Sequence, residues 1–346
     1  MKILIQNRGN FKKSGTFLIF FLCLLLISFE LYALVLFHIE GNCPLPDNFG
    51  NFKRVTTKLE KDRGKGEFLF GVVGDTKGCG TFERIYEKLQ NEPLAFLVLL
   101  GDCVRKGTRG YHSYFRAEWK DRKVPYPVFY VVGNHDVDQK RFSVSSFEQA
   151  YGPANFYFQY RNNLFVCLRI LDAPYSNEQS LSFLENVLAK RRFLNKRVFL
   201  FMHIPPTVSP DYHVRSIEGE KRFVSLINKY HVDYVIGSDF HGYARVKVKD
   251  TVYLVTGGGG AHLKKVELGA FHHGIVFRVK KDSVSERILF VKRDEDFEDQ
   301  LERYVLAEFI PWLEGNKPLA FIANAIVLLG LFFSFRQLTK HLKRGL

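Results

Sequence analysis

Two stretches of this chain are apolar almost without interruption, and between them hydrophobic and polar positions alternate in short blocks. The first, Thr16 to Phe37 (TFLIFFLCLLLISFELYALVLF), is long enough to cross a bilayer as a helix, and the second, Pro318 to Phe335 (PLAFIANAIVLLGLFFSF), only just so. No small-x-small cleavage site follows the first run, so an uncleaved anchor is expected there. Glu30 within it is a cost unless it snorkels or pairs. From Glu67 onward, short apolar strands alternate with amphipathic helices. Strands are predicted at Phe68 to Gly74, Ala95 to Gly101, Pro127 to Gly133, Asn155 to Tyr160, Leu164 to Leu171, Arg197 to Met202 and Val232 to Ile236. Helices are predicted at Thr81 to Gln90, Glu178 to Arg191 and Gly219 to Tyr230. Tyr243 to Val291 reads as mostly strand, broken by Gly257 to Gly260. Asp294 to Trp312 has an acidic start and places Phe297, Leu301, Val305 and Ile310 roughly on one face, the pattern of a helix returning along a membrane surface.

The organisation this predicts is a basic tail (1–15), a transmembrane helix (16–37), a linker (38–66), an α/β domain (67–293), a juxtamembrane amphipathic helix (294–317), a second transmembrane helix (318–335) and a basic tail (336–346). Two βαβ units followed by strand-rich sequence call for packed sheets covered by helices.

Charge sharpens the membrane reading. The net charge of the 346 residues is +14, which at first points to nucleic acid or anionic lipid. Half of it lies in the two ends: Lys2, Arg8, Lys12 and Lys13 before the first run, and Arg336, Lys340, Lys343 and Arg344 after the second. What remains is spread over a middle segment with no stripe of basic residues interleaved with aromatics, so no nucleic-acid partner is expected. Short basic tails stay in the cytoplasm, which places the middle segment on the periplasmic or extracellular side of a two-pass membrane protein. Of five cysteines, Cys23 lies in the first anchor, leaving Cys43, Cys79, Cys103 and Cys167 in the exported part. An oxidising compartment permits a Cys79–Cys103 bond, but buried free thiols are the expectation.

The first three buried strands end in Gly74-Asp75-Thr76-Lys77-Gly78, Gly101-Asp102-Cys103 and Gly133-Asn134-His135-Asp136. His203 ends the strand VFLFMH, and Asp239 and His241 follow VDYVIG. In open α/β sheets, ligands bind at the carboxyl ends of strands, so these residues should converge. Oxygen and imidazole donors gathered from separate strand ends are what a divalent metal requires. Singly, each is an ordinary turn or structural residue; His112, His213, His262, His272 and His273 are read as surface or supporting residues.

The order of these motifs resembles the calcineurin-like metallophosphoesterases, whose pattern is D-x-H, G-D, G-N-H-D/E, a lone His and G-H-x-H. The resemblance spans about Phe68 to Val291, and Thr251 to Leu263 (TVYLVTGGGGAHL) is similar to the Gly-rich strand end of purple-acid-phosphatase-like members. It implies an α/β fold, a four-layer αββα sandwich of two mixed β-sheets flanked by helices, here with one transmembrane helix at each end. It implies two divalent ions (Mn, Fe or Zn) bridged by Asp102, with Asn134 and His203 on one and Asp75 and His241 on the other, and Asp239 among the ligands. His135 is then a catalytic residue at the transferring phosphoryl group, its ring oriented by Asp136, and a metal-bound hydroxide attacks in line.

Two positions depart from the family pattern. Lys77 stands where D-x-H supplies histidine, and an ammonium cannot ligate a metal, so the second ion is expected to be weak. Purple acid phosphatases compensate with a tyrosine three residues after the bridging aspartate, and here that residue is Arg105. Asp239 replaces the first histidine of G-H-x-H, a milder change that favours harder ions. Lys77, aided by Arg105, is expected to contact substrate phosphate. The reaction expected is hydrolysis of a phosphate mono- or diester, of which a lipid-linked phosphate is one candidate. The alternative is a membrane-tethered binding or scaffold module that kept the fold and lost catalysis.

Overall fold

The computed structural model describes residues 2–62, 64, 66–120, 122–208, 215–264, 269–294 and 297–343. It divides into two compact units, Cys43–Leu301 and the paired ends Met1–Asn42 with Glu302–Leu346.

The central unit opens with α2 (Lys53–Lys61), after the long N-terminal helix α1 (Lys2–Glu40). There follow β1 (Phe68–Val73), α3 (Gly80–Leu89), β2 (Leu94–Leu99), α4 (Arg109–Lys120), β3 (Val128–Tyr130) and α5 (Val144–Tyr151). Next come β4 (Phe156–Tyr160), β5 (Asn163–Leu168), α6 (Glu178–Arg191), β6 (Arg197–Met202), α7 (Glu220–Lys229) and β7 (Tyr234–Gly237). Four strands close it: β8 (Tyr243–Val248), β9 (Thr251–Thr256), β10 (His272–Val279) and β11 (Val284–Val291). They form two mixed sheets, ordered β11-β10-β1-β2-β3 and β4-β5-β6-β7-β9-β8. The fold is α/β, two mixed sheets flanked by helices.

Side-chain type sorts the layers. Along β5 and β6 the aromatics Phe165, Phe199 and Phe201 face the opposite sheet, while Leu164, Val166, Leu168, Val198, Leu200 and Met202 face α6 and α7. This is the period-2 alternation of a strand buried on both faces, with bulk assigned to one side and aliphatic packing to the other. Phe70 of β1 sits at the centre, its ring stacked 4.6 Å from Phe277 and 5.1 Å from Phe96 and edge-on to Phe165, Phe199 and Phe201. Each such pair adds about 0.5–1.5 kcal/mol beyond burial. A rigid aromatic floor therefore lies between the sheets, and the loops at the strand ends are built on it.

The stretch 38–66 is not merely a linker. Phe49 is wholly buried, packed against Phe115, Trp119, Tyr130 and Tyr151. Residues 48–50 bond along the open edge of β3, with Val128 N–H donating to Asn48 O and Gly50 N–H to Val128 O, both at 2.9 Å. Polar composition suggested a linker, but the polar groups are there to cover a strand edge.

The paired ends form their own unit. Contacts between α1 and α10 (Lys317–Lys343) run Thr16–Gln337, Phe20–Phe335, Cys23–Gly330 and Glu30–Asn324, one number rising as the other falls, so the helices are antiparallel. Glu30 pairs rather than snorkels: the Asn324 amide donates to its carboxyl at 2.8 Å. Both helices contain segments long and apolar enough to cross a membrane, Ser14–Glu40 and Lys317–Lys340. The helix expected over 294–312 runs without a break from Phe297 to Gly315, as α8 (Phe297–Tyr304), a π-helical turn (Val305–Phe309) and α9 (Ile310–Gly315). Pro311 in the first turn of α9 lacks the N–H that a continuous ladder needs, which accounts for the irregular turn before it. All five cysteines are buried and none forms a disulfide.

Candidate metal centre

The loops after β1, β2, β3, β6, β7 and β9 meet at one end of the sheets. Five of the side chains there sit on left-handed backbone: Asp75 (φ 56°), Lys77 (55°), Asp102 (53°), Asp239 (60°) and His241 (52°). Each such residue costs on the order of 1–3 kcal/mol, and strain of this kind persists where the surroundings over-determine it, most often at functional sites. Glycines let the loops interlock. A Cβ on Gly133 would meet the Asp102 backbone nitrogen at 2.3 Å, and one on Gly257 would meet an Asp75 oxygen at 2.6 Å.

Asp75, Asp102 and His203 are buried, with ligand atoms all within 4.8 Å of one another, a grouping that can hold a metal ion. Asp75 Oδ2 accepts from Ser238 Oγ and, at 2.9 Å, from Asp239 N–H, whereas Oδ1 is buried with no hydrogen-bond partner. That bare oxygen faces His241 Nε2 at 3.3 Å. An orphaned carboxylate oxygen so placed is what a cation would satisfy.

The three histidines share one arrangement. Nδ1 of His203, His241 and His135 lies 2.8, 2.9 and 3.0 Å from the carbonyls of Leu100, His262 and Arg105. A carbonyl only accepts, so Nδ1 carries the proton and Nε2 is left facing the site, the tautomer a metal ligand requires. His203 Nε2 stands 3.1 Å from Asn134 Oδ1, 3.3 Å from Asp102 Oδ1 and 3.7 Å from Asp239 Oδ1. Burial works against a charge on His203, yet Asp102, then Asp75 and Asp239, push its pKa up to about 10, so these carboxylates draw a second proton onto Nε2, and an ion that binds there displaces it. For Asp102, too, burial alone would raise the pKa, but His203 and Lys77 hold it well below the usual carboxylate range.

The structure thus gathers Asp75, Asp102, Asn134, His203, Asp239 and His241 around one space. His135 stands at its edge, 48% exposed, with Nε2 4.0 Å from Asp102 Oδ2. Two expectations change. Asp136 does not orient the His135 ring: its oxygens accept from the N–H groups of Asp102 and Gly133 at 2.7 Å and Val104 at 3.2 Å. It is fully buried, and its role is to tie the second and third strand-end loops together. Lys77 turns its ammonium onto Asp102 Oδ2 rather than outward, because a buried carboxylate draws the nearest cation. Arg105 lines the mouth, a cavity of about 230 Å³ shared with Lys77, His135, His241, Gly260, Ala261 and His262. No acidic side chain lines it, which suits an anion.

Two participants carried no sequence signal that singled them out. Ser238 holds Asp75, and Arg215 donates to Asp239 Oδ1 at 2.9 Å while also pairing with Asp172. His213 lies outside the described residues.

In overall structure the chain is similar to GAP50, described as the anchor in the inner membrane complex of Plasmodium, at 11% identity and TM-score 0.53, covering 70% of this chain and 96% of that one. It is similar to a dimetal phosphatase from Danio rerio at 14% identity and TM-score 0.53, covering 66% and 97%. A purple acid phosphatase from yellow lupin (Lupinus luteus) seeds aligns at 16% identity and TM-score 0.52, over 69% of this chain and 55% of that one. No curated protein matches by sequence. The family model for calcineurin-like phosphoesterases matches residues 68–243, the stretch that supplies every side chain of the centre from Asp75 to His241, and the chain belongs to that family.

Proposed function

We propose that this protein hydrolyses phosphate mono- or diesters at the non-cytoplasmic face of a membrane. The observation that carries the reading is the meeting of Asp75, Asp102 and His203, with a bare carboxylate oxygen among them, beneath a mouth lined by Lys77, Arg105 and three histidines. A divalent ion held among Asp75, Asp102 and His203, with Asn134 beside them, would supply an activated water and neutralise charge on the phosphate. The chain's own groups do the rest. Arg105 and His262 bind and orient the phosphate dianion, and His135, its Nδ1 proton fixed on the Arg105 carbonyl, protonates the leaving oxygen from Nε2 when the ring carries a second proton there. A cavity of about 230 Å³ has room for a phosphate and part of its alcohol. Two antiparallel apolar helices support a two-pass topology with tails 1–15 and 336–346 together in the cytoplasm, which makes a lipid-linked phosphate one candidate substrate.

A second reading has its own observation. Lys77 pairs with Asp102 and Arg215 with Asp239, so two cations of the chain already occupy metal-ligand oxygens. That suits a membrane-tethered scaffold, the kind of role printed for GAP50 of Plasmodium. Hydrolysis separates the two. Full-length protein in detergent should turn over aryl phosphate mono- or diesters, and Asp102→Asn should lower kcat at least 100-fold. Turnover no faster in the wild type than in Asp102→Asn selects the scaffold.

A further inference from the structure

The six donors do not fit two divalent ions equally well. Asp102 can bridge a pair through both oxygens or through one that the ions share, and either mode needs room for a second ion against its carboxylate. Oδ1 is beside His203 and accepts the His135 N–H at 2.8 Å, and Oδ2 is taken by the Lys77 ammonium. Lys77 is not a surface lysine that has swung inward. Its side chain is 12% exposed, its backbone is left-handed at φ 55°, and its N–H donates to Asp102 O at 3.0 Å, so main chain and side chain both hold it against Asp102.

The charges agree. Three carboxylates face the space: Asp75, Asp102 and Asp239. Asp136 is turned away onto backbone N–H groups, and Arg215 is balanced by Asp172. One divalent ion and one ammonium neutralise three carboxylates, whereas a second divalent ion would leave two positive charges uncompensated among buried groups. The two departures from the family pattern are themselves electrically complementary. Asp239 adds a negative charge where the pattern has a neutral imidazole, and Lys77 adds a positive one where it has another.

We infer that Lys77 is a built-in cation standing in for one metal, so that the centre holds a single divalent ion among Asp75, Asp102 and His203, with the ammonium on the other oxygen of Asp102. This rests on the reading of the site as a metal-dependent phosphoesterase. A permanent ammonium at that place neutralises a buried carboxylate without depending on metal supply, and leaves substrate phosphate to one metal and Arg105.

The test is the manganese content of full-length, detergent-solubilised protein after loading and dialysis, read by elemental analysis and electron paramagnetic resonance. Wild type should retain one Mn²⁺ per chain with the six-line spectrum of an isolated ion. Lys77→His, which restores a ligand and removes the charge, should retain two, with an exchange-coupled spectrum. Two coupled ions in the wild type, or one in both proteins, overturns the inference and leaves the phosphoesterase reading standing. No retained ion in the wild type, with no hydrolysis, overturns that reading as well. If Lys77→His fails to fold, the wild-type count and spectrum decide alone.

Discussion

At the scale of single residues, the site rests on histidines held in one tautomer, and histidines elsewhere make stability depend on pH. His112 is buried with Nε2 2.8 Å from the Asp136 carbonyl and Nδ1 2.8 Å from Tyr151 Oη, so Nε2 donates and Nδ1 accepts. Burial pushes its pKa down to about 3 and that of His273 down to about 4. Both are therefore neutral in the fold while an unfolded chain protonates them near the ordinary value of 6.5. The stability they confer is present in full above about pH 6.5 and is lost as pH falls below it, by about 1.4 kcal/mol per pH unit for each histidine. Burial pushes the pKa of Glu118 up to about 8, so over the same window it opposes one of these histidines. In urea melts of the full-length protein between pH 7 and pH 4.5, His112→Gln should lessen the loss of stability by about 1.4 kcal/mol per pH unit; an unchanged slope would contradict the assignment. Sequence alone made Asp75, Asp102, Asn134, His203, Asp239 and His241 legible because each follows an apolar strand with a recognisable tail. Arg215 was illegible because nothing in its spacing ties it to Asp239, a partner 24 positions away. The part played by Asp136 was hidden for a different reason: a carboxylate beside a catalytic histidine reads as its orienter, and only geometry shows it capping three backbone N–H groups.

At the scale of elements, strands were easier to read than helices. Continuous apolar runs such as FLFGVV and LAFLVL mark strands buried on both faces, and they were found where they were expected. The helix α4 was missed because its buried face is built from Tyr111, His112, Tyr114, Phe115 and Trp119, whose polar atoms blur the aliphatic period. The helix α2 was missed because its KRVTTKLEK sequence buries only Val55 and Leu59 and sits in a polar stretch. That same stretch supplies Asn51, whose amide donates to Tyr130 O at 2.7 Å and Pro153 O at 3.0 Å while its oxygen accepts Tyr130 N–H at 2.9 Å. Through Asn51, the segment before β1 completes the edge strand that carries the Gly133 loop. Asn51→Ala leaves the Tyr130 backbone groups buried and unsatisfied, which should cost roughly 2–4 kcal/mol. The denaturation midpoint should fall accordingly. An unchanged midpoint would mean that this segment is peripheral to the fold.

At the scale of the whole molecule, one physical arrangement organises the account. An aromatic floor between two sheets holds six strand-end loops rigid enough to keep five non-glycine residues in left-handed backbone, and those residues aim carboxylates and imidazole nitrogens at a shared space. Negative charge concentrated and buried in this way is stable only with cations among it. The chain provides Lys77, while Arg215 is balanced by Asp172, and the remaining balance calls for a metal. The apolar ends belong to a separate unit whose polar contacts, Thr16–Gln337 and Glu30–Asn324, pair two helices that composition alone presents as independent runs. The most direct test of the central claim is a crystal structure of the protein soaked in Mn²⁺, with anomalous differences measured at the centre. The account predicts a peak bonded to an Asp102 oxygen and to Nε2 of His203. Clear density for Asp102, His203 and Lys77 with no anomalous peak among them would contradict it.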